Sequence, residues 1–179
     1  MKRRTWPLWA YYAIAAVVFL LDYVTKKLVV RYIDLHAEIE VLGNFFVLTS
    51  IRNRGAAFGM LQEQRLFFLI VTVVVVAGIV WYFHRSHRTG SPLLLTAIAM
   101  ILGGALGNFI DRARVGEVVD FLQFNFGSLG TFPIFTLADT GICVGVGLVL
   151  LDSLLAWRQE SKSKQDEGKG VHEEEQQSV

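Results

Sequence analysis

Four aspartates, Asp22, Asp111, Asp120 and Asp139, stand at or near the ends of apolar runs in this chain, where charged side chains usually mark a functional site. Two carboxyl groups brought together in an apolar setting share one proton. One member can then take a proton from water while the other, still protonated, polarises a carbonyl. That is how paired aspartates hydrolyse a peptide bond. Sequence neighbours sort the four. Asp22 has Lys26 one helical turn later on the same face, a spacing at which the two charges neutralise each other. Asp111 is followed by Arg112 and Arg114. Asp120 sits among Val118, Val119, Phe121 and Leu122, and Asp139 among Leu137, Ala138 and Thr140, with no basic neighbour at either. Asp120 and Asp139 are therefore the expected catalytic pair. Spacing alone leaves a competing reading, two solvated interfacial carboxylates, which also describes Asp152 near the end of the last apolar run.

The elements that must position these groups are membrane helices. Of 179 residues, 53% are hydrophobic and 18% charged, a more apolar and less charged chain than an ordinary soluble domain. The net charge of +1 hides a segregation of charge into short islands and gives no reason to expect nucleic acid as a partner. Apolar runs of about 20 residues predict spans near 8–28, 66–83, 93–110 and 135–156. Basic residues cluster at Lys2, Arg3 and Arg4, at His84, Arg85, His87 and Arg88, and at Arg158, Lys162 and Lys164. The positive-inside rule puts all three clusters, and both termini, in the cytoplasm. Segments 32–64 and 112–132 then lie outside. The first apolar run resembles a signal peptide, but no small-residue cleavage site follows it and three more apolar segments come later, so it reads as a retained helix.

In the external segments, Val41, Phe45, Val47, Thr49 and Ile51 alternate with polar or small residues and predict strands. Residues 117–126 have the same character before a turn at Gly127 to Gly130. The expected fold is an all-α integral membrane protein with four transmembrane helices and a small extracytoplasmic β-rich segment. Its membrane-embedded domain is 1–160, followed by a disordered cytoplasmic tail, 161–179, with almost nothing apolar. No internal repeat is visible, which removes one cue for an inverted-repeat transporter.

These spans bring the carboxylates to one depth. At 1.5 Å per helical residue, Asp22 lies roughly 21 Å from the start of its helix, and Asp111 and Asp139 each roughly 28 Å from the cytoplasmic end of theirs. In a hydrocarbon core about 30 Å thick, all three fall in the outer third or at the outer interface. Asp120, a short stretch beyond Asp111, can fold back to the same level.

Read together, five motifs resemble the bacterial lipoprotein signal peptidase family, also called signal peptidase II. They are Asp22-Tyr23-Val24-Thr25-Lys26; Asn53-Arg54-Gly55-Ala56-Ala57-Phe58-Gly59; Gly103-Gly104-Ala105-Leu106-Gly107-Asn108-Phe109-Ile110-Asp111-Arg112; Val118-Val119-Asp120-Phe121; and Phe132-Pro133-Ile134-Phe135-Thr136-Leu137-Ala138-Asp139. The resemblance covers nearly all of the chain before the tail. It implies an aspartic endopeptidase in the bacterial cytoplasmic membrane, with its active site at the outer face. The enzyme would remove the signal peptide of prolipoproteins just before a diacylglyceryl-modified cysteine, with Asp120 and Asp139 as the dyad. Diacylglyceryl-prolipoprotein and membrane lipids are the implied partners; neither a metal nor an organic cofactor is implied, and a monomer is expected. The chain departs from the family at Thr136, where an Asn is usual. A hydroxyl lacks the amide's second polar arm, which puts a substrate-orienting role there in question.

Asn53 and Asn108 are expected to position the acids or the substrate backbone, with polar glue between elements as the alternative. Arg112 either orients Asp111, binds a substrate carbonyl, or simply snorkels to the interface. Gly103 and Gly107 form a small-xxx-small face for close helix packing. Asp22, Lys26, Gly107 and Asp111 are expected to support the site structurally. Lys26 as a catalytic base is disfavoured, because Asp22 is its obvious partner and no serine is near. Cys143, the single cysteine, lies one turn after Asp139 but lacks a local activating histidine and is expected to be a packed small residue. Asp139-Thr140-Gly141 matches the tripeptide of pepsin-like proteases, a soluble two-lobed β fold, whereas here it opens an apolar helix and carries no weight. Phe45, Phe46, Phe58 and Phe121 offer an apolar surface for a lipid-bearing peptide, or are ordinary interfacial aromatics. Two other classes compete. A small transporter or channel would need charge near the bilayer midplane, and a noncatalytic scaffold would leave an apolar-flanked carboxylate pair unexplained.

Overall fold

The structure, a computed structural model, describes residues 5–55 and 60–177, with side chains followed as far as Lys162. Its elements in chain order are α1 (Leu8–Tyr32), β1 (Glu38–Leu42), β2 (Phe46–Asn53), α2 (Arg65–Ser86), α3 (Pro92–Arg114), β3 (Val118–Phe124), a 3-10 turn (Gly127–Leu129) and α4 (Leu137–Gln177). Among the described residues, three helical stretches, Arg65–Ser86, Pro92–Arg114 and Leu137–Lys162, are long and apolar enough to cross a membrane.

α3 is the axis of the bundle and packs on α4, α1 and α2. Small residues make that possible. A Cβ at Gly103 would collide with the carbonyl oxygen of Ala15 in α1, and one at Gly104 with that of Ala138 in α4. Backbones in such contact gain dispersion energy without a hydrophobic driving force, as helices in lipid require. Tyr11 and Ala15 of α1, Ile79 and Phe83 of α2, and Leu95, Ala99 and Leu102 of α3 form one buried cluster. A second cluster, Val29 and Ile33 with Val119 and Phe121, clamps β3 to the far end of α1. Asp22 and Lys26 fall between the two along α1.

The three strands form an antiparallel sheet in the order β1-β2-β3. The expected strands are present, but the alternation is incomplete. Val47 and Thr49 point inward, whereas Val41, on the edge strand β1 with every residue exposed, and Phe45, in the turn before β2, are about half exposed. A register irregularity between Leu48 and Ile51 leaves Ser50 buried beside Thr49. Phe121, expected at the surface, is buried beneath the sheet.

Helix ends differ from the hydropathy limits. α3 runs one turn past residue 110 to Arg114, and just beyond it Gly116, with a φ of +86°, turns its N–H back to the Arg112 carbonyl. Asp111 and Arg112 are therefore helical. α4 continues as helical backbone to Gln177 where composition predicts disorder. Hydropathy does not see that Lys, Glu and Gln are good helix formers.

Candidate active site

α4 opens in a reciprocal cap. Asp139 Oδ2 accepts the Thr136 N–H (3.0 Å) and Thr136 Oγ1 accepts the Asp139 N–H (3.2 Å). This is the geometry of a capping box with Asp in the acidic position. Asp22 Oδ1 accepts the Ala138 N–H (2.8 Å), so a carboxylate from α1 also closes the first turn of α4. Donors that helix geometry leaves without partners are thus satisfied, and the positive end of the helix faces two acids. Close approach by Asp22 needs Gly107, where a Cβ would lie 2.5 Å from Asp22 Oδ2.

Behind the cap lies a buried charged cluster. Lys26 Nζ is 2.7 Å from Asp22 Oδ2, 2.8 Å from Asp111 Oδ2 and 3.1 Å from Asn108 Oδ1. The other end of the Asn108 amide, Nδ2, donates to Asp139 Oδ1 (2.7 Å). Both Asp139 oxygens therefore accept hydrogen bonds, one from α3 and one from the start of α4.

Asp120 arrives from the sheet. β3 pairs with β2 so that Val118 faces Asn53, two residues along from Asp120 on the same face. That diagonal brings Asn53 Nδ2 to Asp120 Oδ2 (2.8 Å), while Asn53 Oδ1 accepts the Gly55 N–H (2.9 Å) and so fixes which end of the amide meets the acid. Asp120 is 2% exposed, and its Oδ1 has no hydrogen-bond partner among the described residues. Burial pushes its carboxyl up to about 7, and the charge of Asp139 adds to that; the Asn53 hydrogen bond, Lys26 and Arg112 pull the other way.

Asp120 and Asp139 line one cavity of about 590 Å³, together with Asn53, Asn108 and Arg112. The rest of its wall is largely apolar: Phe68, Val118, Phe132, Pro133, Ile134, Phe135, Ile142 and Val144, with Gly55, Thr140 and Cys143. Arg112 donates through Nη2 to the Gly55 carbonyl (2.9 Å), and its guanidinium lies 4.5 Å from the centroid of Phe68. Two acids that differ in burial and partners, facing a largely apolar cavity, can divide the acid and base roles of hydrolysis.

The structure thus brings Asn53, Asn108, Arg112, Asp120 and Asp139 to one cavity, with Asp22, Lys26, Gly107 and Asp111 behind it. Several details differ from expectation. The cation that meets Asp111 is Lys26 of α1 rather than its sequence neighbours. Arg112 meets the Gly55 backbone. Thr136 is fully buried in the cap, away from the cavity wall. Cys143 is exposed at that wall rather than packed, because the face of α4 that follows Asp139 is left open. Asp152 is bonded by Ser91 Oγ (2.5 Å) across α3 and α4. Phe45 and Phe46 pack on Phe124 of the sheet, and Phe58, with Ala56, Ala57 and Gly59, lies outside the described residues. Phe68 is not singled out by the sequence, where no local signal separates it from its apolar neighbours.

Comparison with known proteins places the chain in a family. The family profile described as signal peptidase (SPase) II matches residues 14–155. A lipoprotein signal peptidase of Brevibacillus brevis is 51% identical over 145 residues, covering 81% of this chain and 95% of that protein. One from Bacillus pumilus is 47% identical over 153 residues, covering 86% and 97%. A solved bacterial membrane enzyme superposes with a TM-score of 0.78 at 35% identity, covering 86% of this chain and 93% of the other. A second does so with a TM-score of 0.75 at 36% identity, covering 86% and 97%.

Proposed function

The chain belongs to the signal peptidase II family, and from that premise we propose that Asp120 and Asp139 are the dyad of a membrane aspartic endopeptidase. It removes signal peptides from prolipoproteins, cutting immediately before the diacylglyceryl-modified cysteine. The observation that carries the assignment is the shared cavity: two carboxyl groups from different elements face it, each held by its own asparagine. Asp120, held neutral by burial up to about pH 7, polarises the scissile carbonyl through its unbonded Oδ1. Asp139 takes the proton from water, the water oxygen attacks the carbonyl carbon, and the proton passes to the leaving nitrogen as the C–N bond breaks. The apolar wall of Phe68, Phe132, Ile134, Ile142 and Val144 suits an apolar signal helix and a lipid-bearing side chain.

α1 supplies the fourth span. Its 25 residues reach about 37 Å at 1.5 Å each, enough to cross a hydrocarbon core of about 30 Å. Its buried positions, Tyr11, Ala15, Asp22, Lys26 and Val29, form one face, while Val17, Leu20, Leu21, Val24 and Leu28 are exposed and suit lipid. With the basic clusters inside, the protein is a multi-pass bacterial membrane protein with both termini cytoplasmic and the sheet and dyad at the outer face. Residues 1–160 are the peptidase unit, acting as a monomer.

The decisive experiment compares a diacylglyceryl-modified prolipoprotein with the same precursor lacking the lipid. The lipidated substrate is expected to be cut at least about a hundredfold faster, since binding energy from the remote lipid chains is used at the scissile bond. Equal rates on both would overturn lipid recognition, and cleavage of neither would overturn the peptidase itself.

The activity also carries a pH signature. A pair working with one proton loses it as pH rises through the value of its weaker acid, so kcat/KM is expected to fall above pH about 7, by about tenfold per unit. A profile on a substrate with no titrating group, flat to pH 9, would remove Asp120 from the acid role.

A further inference from the structure

The Asn108 side chain has two chemically different ends and two different neighbours. An asparagine amide rotated by half a turn occupies the same volume, so shape does not decide which end faces Asp139. Charge does. Lys26 Nζ, a donor with no acceptor capacity, sits 3.1 Å from Asn108 Oδ1, and this leaves Nδ2 to donate to Asp139 Oδ1 at 2.7 Å. A flipped amide would set its N–H₂ against an ammonium and its oxygen against a carboxylate, two repulsive contacts in place of two hydrogen bonds. Lys26 is itself fixed from both sides by Asp22 Oδ2 and Asp111 Oδ2 and is only 4% exposed.

We infer that Lys26 is a positioning residue for the reaction: through Asn108 it fixes the orientation of the Asp139 carboxylate, beyond any part it plays in stability. The inference rests on the Asp120 and Asp139 dyad reading. The pair Asp22 and Asp111 holds the ammonium, the ammonium sets the amide, and the amide sets the acid. Lys26 does not line the cavity, so its effect belongs in kcat rather than in substrate affinity.

A double-mutant cycle tests this, because residues acting through one another are non-additive whereas independent stabilising contacts add. Lys26→Met alone leaves two buried carboxylates without their cation and is a poor folding risk. The paired variant Lys26→Met/Asp111→Asn removes one charge of each sign, keeps the local net charge unchanged and still deletes the donor to Asn108. It is compared with Asn108→Ala, with the triple variant, and with Asp139→Asn, all on the lipidated precursor with thermal midpoints measured in parallel. The paired variant is expected to lose kcat about 10- to 100-fold with KM changed less than about threefold. Adding it to Asn108→Ala is expected to lower kcat by no more than about twofold further. Losses that multiply, a wild-type kcat in the paired variant, or a kcat loss that tracks the thermal midpoint would overturn the relay. Activity surviving in Asp139→Asn would instead overturn the dyad, so the two failures are distinct.

Discussion

Asp120→Asn and Asp139→Asn are each expected to abolish cleavage of the lipidated precursor, a loss of about 10³-fold or more in kcat, with the double variant no worse than either alone. The two differ in what they do to the folded protein. Asp139 accepts hydrogen bonds on both oxygens, from Asn108 Nδ2 and the Thr136 N–H. An amide there sets one N–H₂ against a donor, so Asp139→Asn weakens the α4 cap as well as the chemistry. Asp120 is the opposite case. Its folded-state value is raised from 3.8 to about 7, so the native state binds the proton more tightly than the unfolded chain. Stability therefore falls as pH rises from about 4 to about 7 and is level above that. Asn at position 120 keeps an oxygen for the Asn53 N–H and never ionises. Asp120→Asn is accordingly expected to be inactive yet more heat-stable than wild type at pH 8, with the gap closing as the pH approaches 4. An inactive variant with a lower thermal midpoint at pH 8 would mean that Asp120 is structural; an active one would remove it from the dyad.

Local patterns in the sequence carried much of this. Hydropathy located the helices; an i,i+4 spacing paired Asp22 with Lys26; the absence of basic neighbours separated Asp120 and Asp139 from the other acids. What stayed illegible depends on contacts between distant segments. Nothing near Asp111 shows that a lysine 85 positions earlier meets it, and its own neighbours Arg112 and Arg114 misdirect the reading. A glycine read as a packing residue, Gly107, turns out to make room for a carboxylate. By chemical type alone Thr136 reads as a weakened substrate contact. Its place immediately before a helix whose third residue is Asp139 carries a capping signal that spacing could have supplied. Residue type alone makes Cys143 a packed small residue, and only the folded structure shows which face of α4 is left open to the cavity.

Lys26→Met is expected to be the most destabilising single change in the buried cluster, by about 3–5 kcal/mol, seen as a large fall in thermal midpoint in detergent. The ordering follows from charge. Asp22 is fully buried, Lys26 nearly so, and Asp111 is 18% exposed through its side chain. Removing the lysine leaves two carboxylates facing each other with their shared cation gone. Removing either acid leaves one neutral pair, so Asp111→Asn costs less, and the partial exposure of Asp111 softens its loss further. Asp22→Asn falls between, because its oxygen can still accept the Ala138 N–H that closes α4. If the penalty comes from unpaired charge, discharging the whole cluster with Asp22→Asn/Lys26→Met/Asp111→Asn should recover most of the stability lost in Lys26→Met. A buried ionic cluster replaced by neutral groups of similar size is often no less stable than the original. A Lys26→Met protein within about 1 kcal/mol of wild type, in the range of an exposed pair, would mean that water reaches the cluster. Charge alone would then no longer hold Asn108 in one orientation, so this stability measurement also tests the physical basis of the positioning assigned to Lys26.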